Sequence, residues 1–322
     1  MKVALIGYGY WGRNLARTIN ENSNIELTSI FDIDAQHIEE AKKLYSFKEY
    51  YDVDTVLSSD IDAVFIATPP ATHYEIAKKA LLAGKHIFVE KPFTTSLDEA
   101  YELLELSEKK GLVAMVDHIF CHAEPIKYLK QNIDQFGDIV YINARRINLG
   151  LFQYTTDVIW DLAVHDLSII DYLVGLDIKR TSVFKKKYKD FPNEAIANID
   201  LELMNGTVVN INVSWLSPVK VREMVIGGTK KTAIYDDTKA KTISEHTAGV
   251  VLEKEMNKSE LYSQMVKYNY GEIFEPELPS NMSLNNSVQH FYECVADGAE
   301  CLTGKSSIIR VTKALEIISK IG

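Results

Sequence analysis

Three side chains in this 322-residue sequence stand out by type and position: Lys91, Asp161 and His165. Lys91 follows a short, mainly apolar run, residues 86–89, and lies between Glu90 and Pro92. Such a run reads as a buried parallel strand, and open α/β sheets bind ligands just past the carboxyl ends of their strands. Pro92 fixes its own φ and restricts Lys91 to extended backbone, so the cation is offered from a held position. An ordinary surface lysine after a strand is the other reading. Asp161 and His165 are four residues apart in residues 157–173, where apolar side chains recur at helical spacing and Gly175 ends the run. They therefore share one helix face. An acid beside an imidazole fixes its tautomer and raises its basicity, the pairing needed to remove a hydroxyl proton. The same two residues also fit an acid favoured by the helix dipole and a histidine satisfied in the core.

A second group is built for phosphate. Gly7, Gly9 and Gly12 match G-x-G-x-x-G, between an apolar run at 3–6 and a helical pattern at 13–20. The first glycine permits a tight turn. The second lets a pyrophosphate approach the backbone, and the third lets helix and strand pack closely. Tyr10 and Trp11 complete this loop, whose helix-terminal amides bind phosphates. Residues 26–31 read as a second strand ending in Asp32, twenty residues after Gly12. An acid there accepts hydrogen bonds from ribose hydroxyls and repels a 2′-phosphate, which favours NAD over NADP. Taken alone, Asp32 also suits a turn, and Asp34 suits a helix cap.

The elements that position these groups alternate. Strands are expected at 63–67, 86–89 and 112–116, and helices at 34–44, 73–83 and 96–110, the last two stopped by Gly84 and Gly111. Strands separated by helices imply a parallel, doubly wound sheet, so residues 1–119 read as a Rossmann domain binding NAD. Residues 120–322 read as an α+β domain for substrate and association. It would hold a helix at 126–136 and a largely antiparallel open sheet from strands at 139–146, 181–187, 195–203, 207–216, 221–227 and 232–236. Asn205-Gly206 marks a hairpin. Residues 241–270 read as strand fragments and loops; helices at 284–296 and 308–321 are expected to pack back on the first domain. The fold class is α/β. Arg145 and Arg146 fall on opposite strand faces; one suits a phosphate and the other solvent, in either assignment. Lys220 and Arg222 share a face and suit either a diphosphate or a solvated pair.

Composition narrows the classes. Hydrophobic residues make up 46% and charged residues 25%, the balance of a soluble globular protein. A net charge of -10 argues against a nucleic-acid surface. Cys121, Cys294 and Cys301 show no metal spacing and no disulfide framework, which fits a reducing cytoplasm. No apolar run approaches membrane-span length.

Gly7-x-Gly9-x-x-Gly12, Ala67-Thr68-Pro69-Pro70 with His73, and Gly84-Lys85-His86-Ile87-Phe88-Val89-Glu90-Lys91-Pro92 together resemble the Gfo/Idh/MocA family of NAD(P)-dependent oxidoreductases. The resemblance covers nearly the whole chain. It implies that Lys91 acts beside the nicotinamide, and that Thr68, Pro69, His73 and Glu90 help hold the cofactor. It also implies that His165 is the acid/base, with Asp161 its partner or a substrate ligand, since the family carries an Asp-x-x-x-His-Asp helix. The family's Arg-Phe-x-Pro element is replaced by His118-Ile119-Phe120, closer to its nucleotide-sugar dehydrogenases. Residues 146–150, 159–162, 214–222 and 235–237 resemble the subgroup of UDP-N-acetylglucosamine-type 3-dehydrogenases. The expectation is NAD-dependent oxidation of a nucleotide sugar at C3, for cell-surface polysaccharide synthesis, by a cytoplasmic homodimer or homotetramer. A dehydrogenase of a free polyol and a non-catalytic NAD-binding regulator are the alternatives. No metal is expected.

Overall fold

The structure is a computed structural model that describes residues 1–150, 152–249, 259, 271–280 and 282–321. The chain forms two compact units. The first comprises Met1–Ala123, Leu167–Tyr172 and Asn281–Ser319, and the second Glu124–Asp166, Leu173–Ser280 and Lys320–Gly322.

In the first unit β1 (Lys2–Ile6), α1 (Tyr10–Glu21), β2 (Glu26–Phe31), α2 (Ala35–Lys42), α3 (Val53–Leu57), β3 (Ala63–Ile66), α4 (His73–Leu82), β4 (His86–Val89), α5 (Leu97–Lys110) and β5 (Ala114–Val116) follow in order. The five strands pair in parallel, in the order β2-β1-β3-β4-β5. β3 is buried at every position and β4 at all but His86, as expected of strands covered on both faces. One apolar cluster holds Ile6, Ile66 and Val89 against Ala77, Leu81 and Leu103; the other holds Leu5 and Phe65 against Leu15, Ile19 and Ile38. Asp34 caps α2 by accepting from the Gln36 N–H, and Gly111 ends α5 at φ 65°. The strand order reverses between β1 and β3, which makes their carboxyl ends the switch point where such sheets take ligands.

The second unit contains α6 (Glu124–Asn132), β6 (Ile139–Leu149), a helix with a π turn at Ile159–Ala163 running into α7 (Val164–Val174), and then β7 (Ile178–Lys187), β8 (Glu194–Leu203), β9 (Val208–Ser214), β10 (Leu216–Gly228), β11 (Thr232–Asp236), β12 (Ile243–His246) and β13 (Ile273–Phe274). Residues 167–172 of α7 cluster with the first unit. The eight strands lie in the order β13-β12-β11-β10-β6-β9-β8-β7, and every pairing is antiparallel except β6 with β9. Burial alternates along β8, with Ala195, Ala197, Ile199, Leu201 and Leu203 inward, so the sheet has one covered face. Gly206 turns the β8–β9 hairpin at φ 90°, and Asn205 Oδ1 accepts the Thr207 N–H at 3.0 Å. The strand expected at 207–216 ends instead at Ser214. β10 begins at Leu216, and its register on β6 shifts before Val221, where Pro218 has no N–H to give the ladder. Residues 250–258 and 260–270 of the polar stretch lie outside the described residues.

The last helices, α8 (Ser283–Ala296) and α9 (Lys305–Ser319), belong to the first unit. Phe291 of α8 sits edge-on to Phe65 and Phe88, with ring centroids 5.3 and 5.5 Å away. Before α9, the Thr303 hydroxyl donates to Val116 O at 2.7 Å, and the Val116 N–H to Thr303 O at 3.1 Å. That exchange adds a chain segment beside the last strand of the parallel sheet.

Candidate active site

The glycine loop has the shape the motif demands. Gly7 adopts φ 96°, and a Cβ there would stand 2.5 Å from Ala67 O at the end of β3. A Cβ on Gly12 would stand 2.1 Å from Gly7 O, whereas one on Gly9 would meet nothing within 4 Å. Two glycines are thus required by the protein's own packing, and the third leaves an open cradle at the start of α1, where unpaired amides favour an anion. Tyr10 is exposed and Trp11 half-buried on that first turn. Asp32 closes the loop from the other side. Its Oδ2 accepts the Tyr8 N–H at 2.6 Å and lies 3.2 Å from His37 Nδ1, while Oδ1 accepts the Asp34 N–H at 2.8 Å. A carboxylate has about four acceptor positions, so capacity remains for ribose hydroxyls. These residues fit NAD: a cradle for its pyrophosphate and a carboxylate for its adenosine ribose.

Lys91 leaves β4 half-buried, with its backbone N–H 3.3 Å from Glu90 Oε2 and a cis peptide bond to Pro92. His73, at the start of α4, joins this loop to the one after β3. Its Nδ1 is 2.8 Å from Pro92 O and its Nε2 2.8 Å from Thr68 O. The ring has no accessible surface, and burial, aided by the Lys91 charge, holds it below the usual histidine range against the pull of the two carbonyls. Any contribution of His73 to cofactor binding therefore passes through the loops it ties. Thr68 is half-buried and Pro69 exposed beside them.

Glu90 turns inward. It and Asp117 form a buried carboxyl pair, with the Ser287 hydroxyl donating to Asp117 Oδ1 at 2.7 Å. Among the described residues nothing donates an N–H or O–H to Glu90 Oε1 or Asp117 Oδ2. A proton shared between the two carboxyls would supply the missing donor. Burial, and then the charge of Asp117, push Glu90 well above the usual carboxylate range; burial pushes Asp117 up to about 6, against the Ser287 donor. Nearby His118 is driven down to about 3 by burial.

The second unit carries the other pair. Asp161 lies in the π turn and His165 in the first turn of α7, both half-buried. The regular helix expected across 157–173 is therefore widened around Asp161, a distortion often found at functional sites. Asp157 starts the turn by accepting the Ile159 and Trp160 N–H groups at 2.9 and 3.0 Å. The indole N–H of Trp215, a fully buried side chain, donates to Asp161 Oδ2 at 3.0 Å. Nothing in the local pattern marked Trp215 for this; it is 54 positions away and only the sheet brings it there. The structure also separates the two arginines. Arg145 is exposed, and Arg146 is buried against Asp166, the residue after His165. Lys220 is exposed, and Arg222 pairs with Asp237 at 2.9 Å. Lys91 and the cofactor residues thus belong to the first unit, and Asp161 and His165 to the second.

Comparison with known proteins agrees with this architecture. Residues 1–118 match the oxidoreductase family with an NAD-binding Rossmann fold, and residues 130–234 match the GFO/IDH/MocA C-terminal domain. A UDP-N-acetylglucosamine 3-dehydrogenase of Acidithiobacillus ferrooxidans is 33% identical over 232 residues, 70% of this chain and 71% of that protein. A solved structure of UDP-N-acetylglucosamine 3-dehydrogenase from that organism superposes with a TM-score of 0.85, covering 99% of this chain and 96% of the other at 26% identity. An inositol 2-dehydrogenase of Salmonella paratyphi B is 25% identical over 193 residues, 57% of each chain. The glycine cradle, the matched domains and these relatives lead to one conclusion: the chain belongs to the Gfo/Idh/MocA family and is an NAD-dependent dehydrogenase acting on a CH–OH group.

Proposed function

We propose that the protein oxidises a nucleotide sugar at C3, UDP-N-acetylglucosamine or a close relative, to the 3-keto sugar. The observation that carries this reading is the similarity to a UDP-N-acetylglucosamine 3-dehydrogenase over 70% of the chain. When bound, NAD supplies the hydride acceptor. The glycine cradle and Asp32 orient it. His165 takes the hydroxyl proton at an imidazole nitrogen, and Asp161 steadies the resulting positive charge while Trp215 holds Asp161 in place. Lys91 donates a hydrogen bond to the oxygen as negative charge develops on it, an interaction strongest in the transition state. The enzyme works in the cytoplasm, in cell-surface polysaccharide synthesis, as a homodimer or homotetramer. Exposed Phe184 and Val208 on the outer side of the second sheet support association.

The test is NADH formation with NAD and UDP-N-acetylglucosamine, with mass spectrometry for a product two hydrogens lighter. Free N-acetylglucosamine, UDP-N-acetylglucosaminuronate and myo-inositol are run in parallel. Oxidation of a UDP sugar alone is expected. Oxidation of inositol alone would overturn the reading in favour of a free-polyol dehydrogenase, which the inositol 2-dehydrogenase relative supports.

A further inference from the structure

We propose that His290, Cys294 and Cys301 form a binding site for one zinc-class divalent cation, away from the oxidation chemistry. One ligand atom from each residue lies within 4.8 Å of the other two. His290 and Cys294 are one turn apart on α8, so their side chains emerge on the same face. Cys301 reaches them from the loop before α9. The sequence spacing, H-x3-C-x6-C, is not one of the familiar zinc patterns; the fold makes the cluster.

Three features suit such an ion. His290 Nε2 and Cys294 Sγ are 3.5 Å apart. A tetrahedral zinc with bonds of about 2.0 Å to nitrogen and 2.3 Å to sulfur places those atoms about 3.5 Å apart. The opposite ring nitrogen, His290 Nδ1, lies 3.8 Å from Glu293 Oε2, so a small side-chain shift would set that carboxylate behind a metal-bound imidazole. Cys294 is buried, whereas His290 and Cys301 are half-buried, so an ion has a path in and a fourth position open to water.

Binding exchanges bonds in a defined way. Nε2 accepts the Leu302 N–H at 3.0 Å, and the cation takes over that lone pair. Two thiols lose their protons to solvent, so two thiolates and a neutral imidazole balance a divalent charge. The product is a clasp between α8 and the loop that leads into α9. None of the three residues has a part in hydride or proton transfer, so the clasp supports the fold and leaves turnover alone.

The experiment uses the full chain, reduced and stripped with a chelator, and Co²⁺ as the probe. A thiolate-to-cobalt charge-transfer band should grow and saturate at one equivalent, then disappear on adding Zn²⁺. Cys301→Ser and His290→Gln should each weaken binding by at least ten-fold while leaving the NAD-dependent rate unchanged. Cys301 and His290 are only half-buried, so these variants remain informative if Cys294→Ser does not fold. Absence of the band, or equal uptake by wild type and the Cys301→Ser/His290→Gln double variant, overturns the proposal. So does a Cys294–Cys301 disulfide in air-purified protein whose reduced form takes up no cobalt.

Discussion

Arg146 grips Asp166 with two nitrogens: Nε lies 3.2 and 3.1 Å from the two carboxylate oxygens, and a terminal nitrogen lies 2.8 Å from Oδ1. Both side chains are 4% exposed. The pair fastens the strand β6 to the helix residue that follows His165. Removing one partner of such a pair strands a buried charge and costs about 3–5 kcal/mol. Arg146→Ala should lose about that much in urea unfolding, whereas an Arg146→Leu/Asp166→Leu double variant should recover most of it. Equal losses in the single and double variants would mean that packing, not charge, is what Arg146 supplies.

Lys91→Met should retain NAD binding and lose turnover. The side chain keeps a similar apolar stem and forfeits the cation, so the loss falls on kcat, by about 10²–10⁴-fold if it stabilises the alkoxide or moves a proton. NAD binding by fluorescence titration and steady-state rates measure the two effects separately. Near wild-type rates would remove Lys91 from the mechanism.

Asp32, the carboxylate we assign to the adenosine ribose, also holds the Tyr8 N–H. Asp32→Asn keeps an oxygen for that N–H and removes the charge that repels a 2′-phosphate. The ratio of kcat/KM for NAD over NADP should fall at least ten-fold, about 1.4 kcal/mol, with little change in stability. An unchanged ratio would assign Asp32 to holding the loop alone.

The buried Glu90–Asp117 pair predicts a pH effect of unusual sign. Both carboxyls hold their protons more tightly in the folded protein than in the unfolded chain. For Asp117 the window runs from its ordinary 3.8 up to about 6. Inside it the folded state binds more protons, so this contribution to stability falls as pH rises and is lost above the window. Glu90, raised well above its ordinary range, extends the decline to higher pH. Glu90→Gln should therefore be more stable than wild type at pH 8, with the difference shrinking towards pH 5. Urea unfolding at intervals across that range checks it; a difference that grows on acidification would contradict the shared proton.

Trp215→Phe preserves a large apolar ring and deletes one N–H. A hydrogen bond to a carboxylate contributes about 1.5–3 kcal/mol. If Asp161 supports the base, kcat should drop about ten-fold or more, and the acid limb of its pH profile should shift. A change in stability with an unaltered profile would make Trp215 purely structural.

What could be read from the chain and what could not follow the range of the interactions. Gly7, Gly9 and Gly12 answer to a turn only a few residues long, and burial on both faces makes the run before Lys91 continuous in sequence. The hairpin at Asn205-Gly206 is likewise a local matter. Periodicity put Arg145 and Arg146 on opposite faces, but only Asp166, 20 positions on, decides which one goes inside. The resemblance gives Glu90 a place at the cofactor, but no local pattern pairs it with Asp117, which arrives from just past the next strand. The π turn at Asp161 is invisible to a 3.6-residue pattern, since one extra residue in a turn leaves the apolar spacing nearly unchanged. Cys301 sits near His290 and Cys294 for a similar reason: a bend between two helices, not a repeat, brings it to them.

The first unit is discontinuous along the chain, and this bears on its synthesis. Phe65 and Phe88 are made early, but Phe291, which covers them, is made more than 200 residues later. At about 5–20 residues per second a ribosome needs on the order of 10–40 seconds to bridge that gap. Throughout it the nascent parallel sheet shows a greasy flank to solvent. A stalled or truncated product would carry the same flank permanently, a natural target for chaperones and proteases.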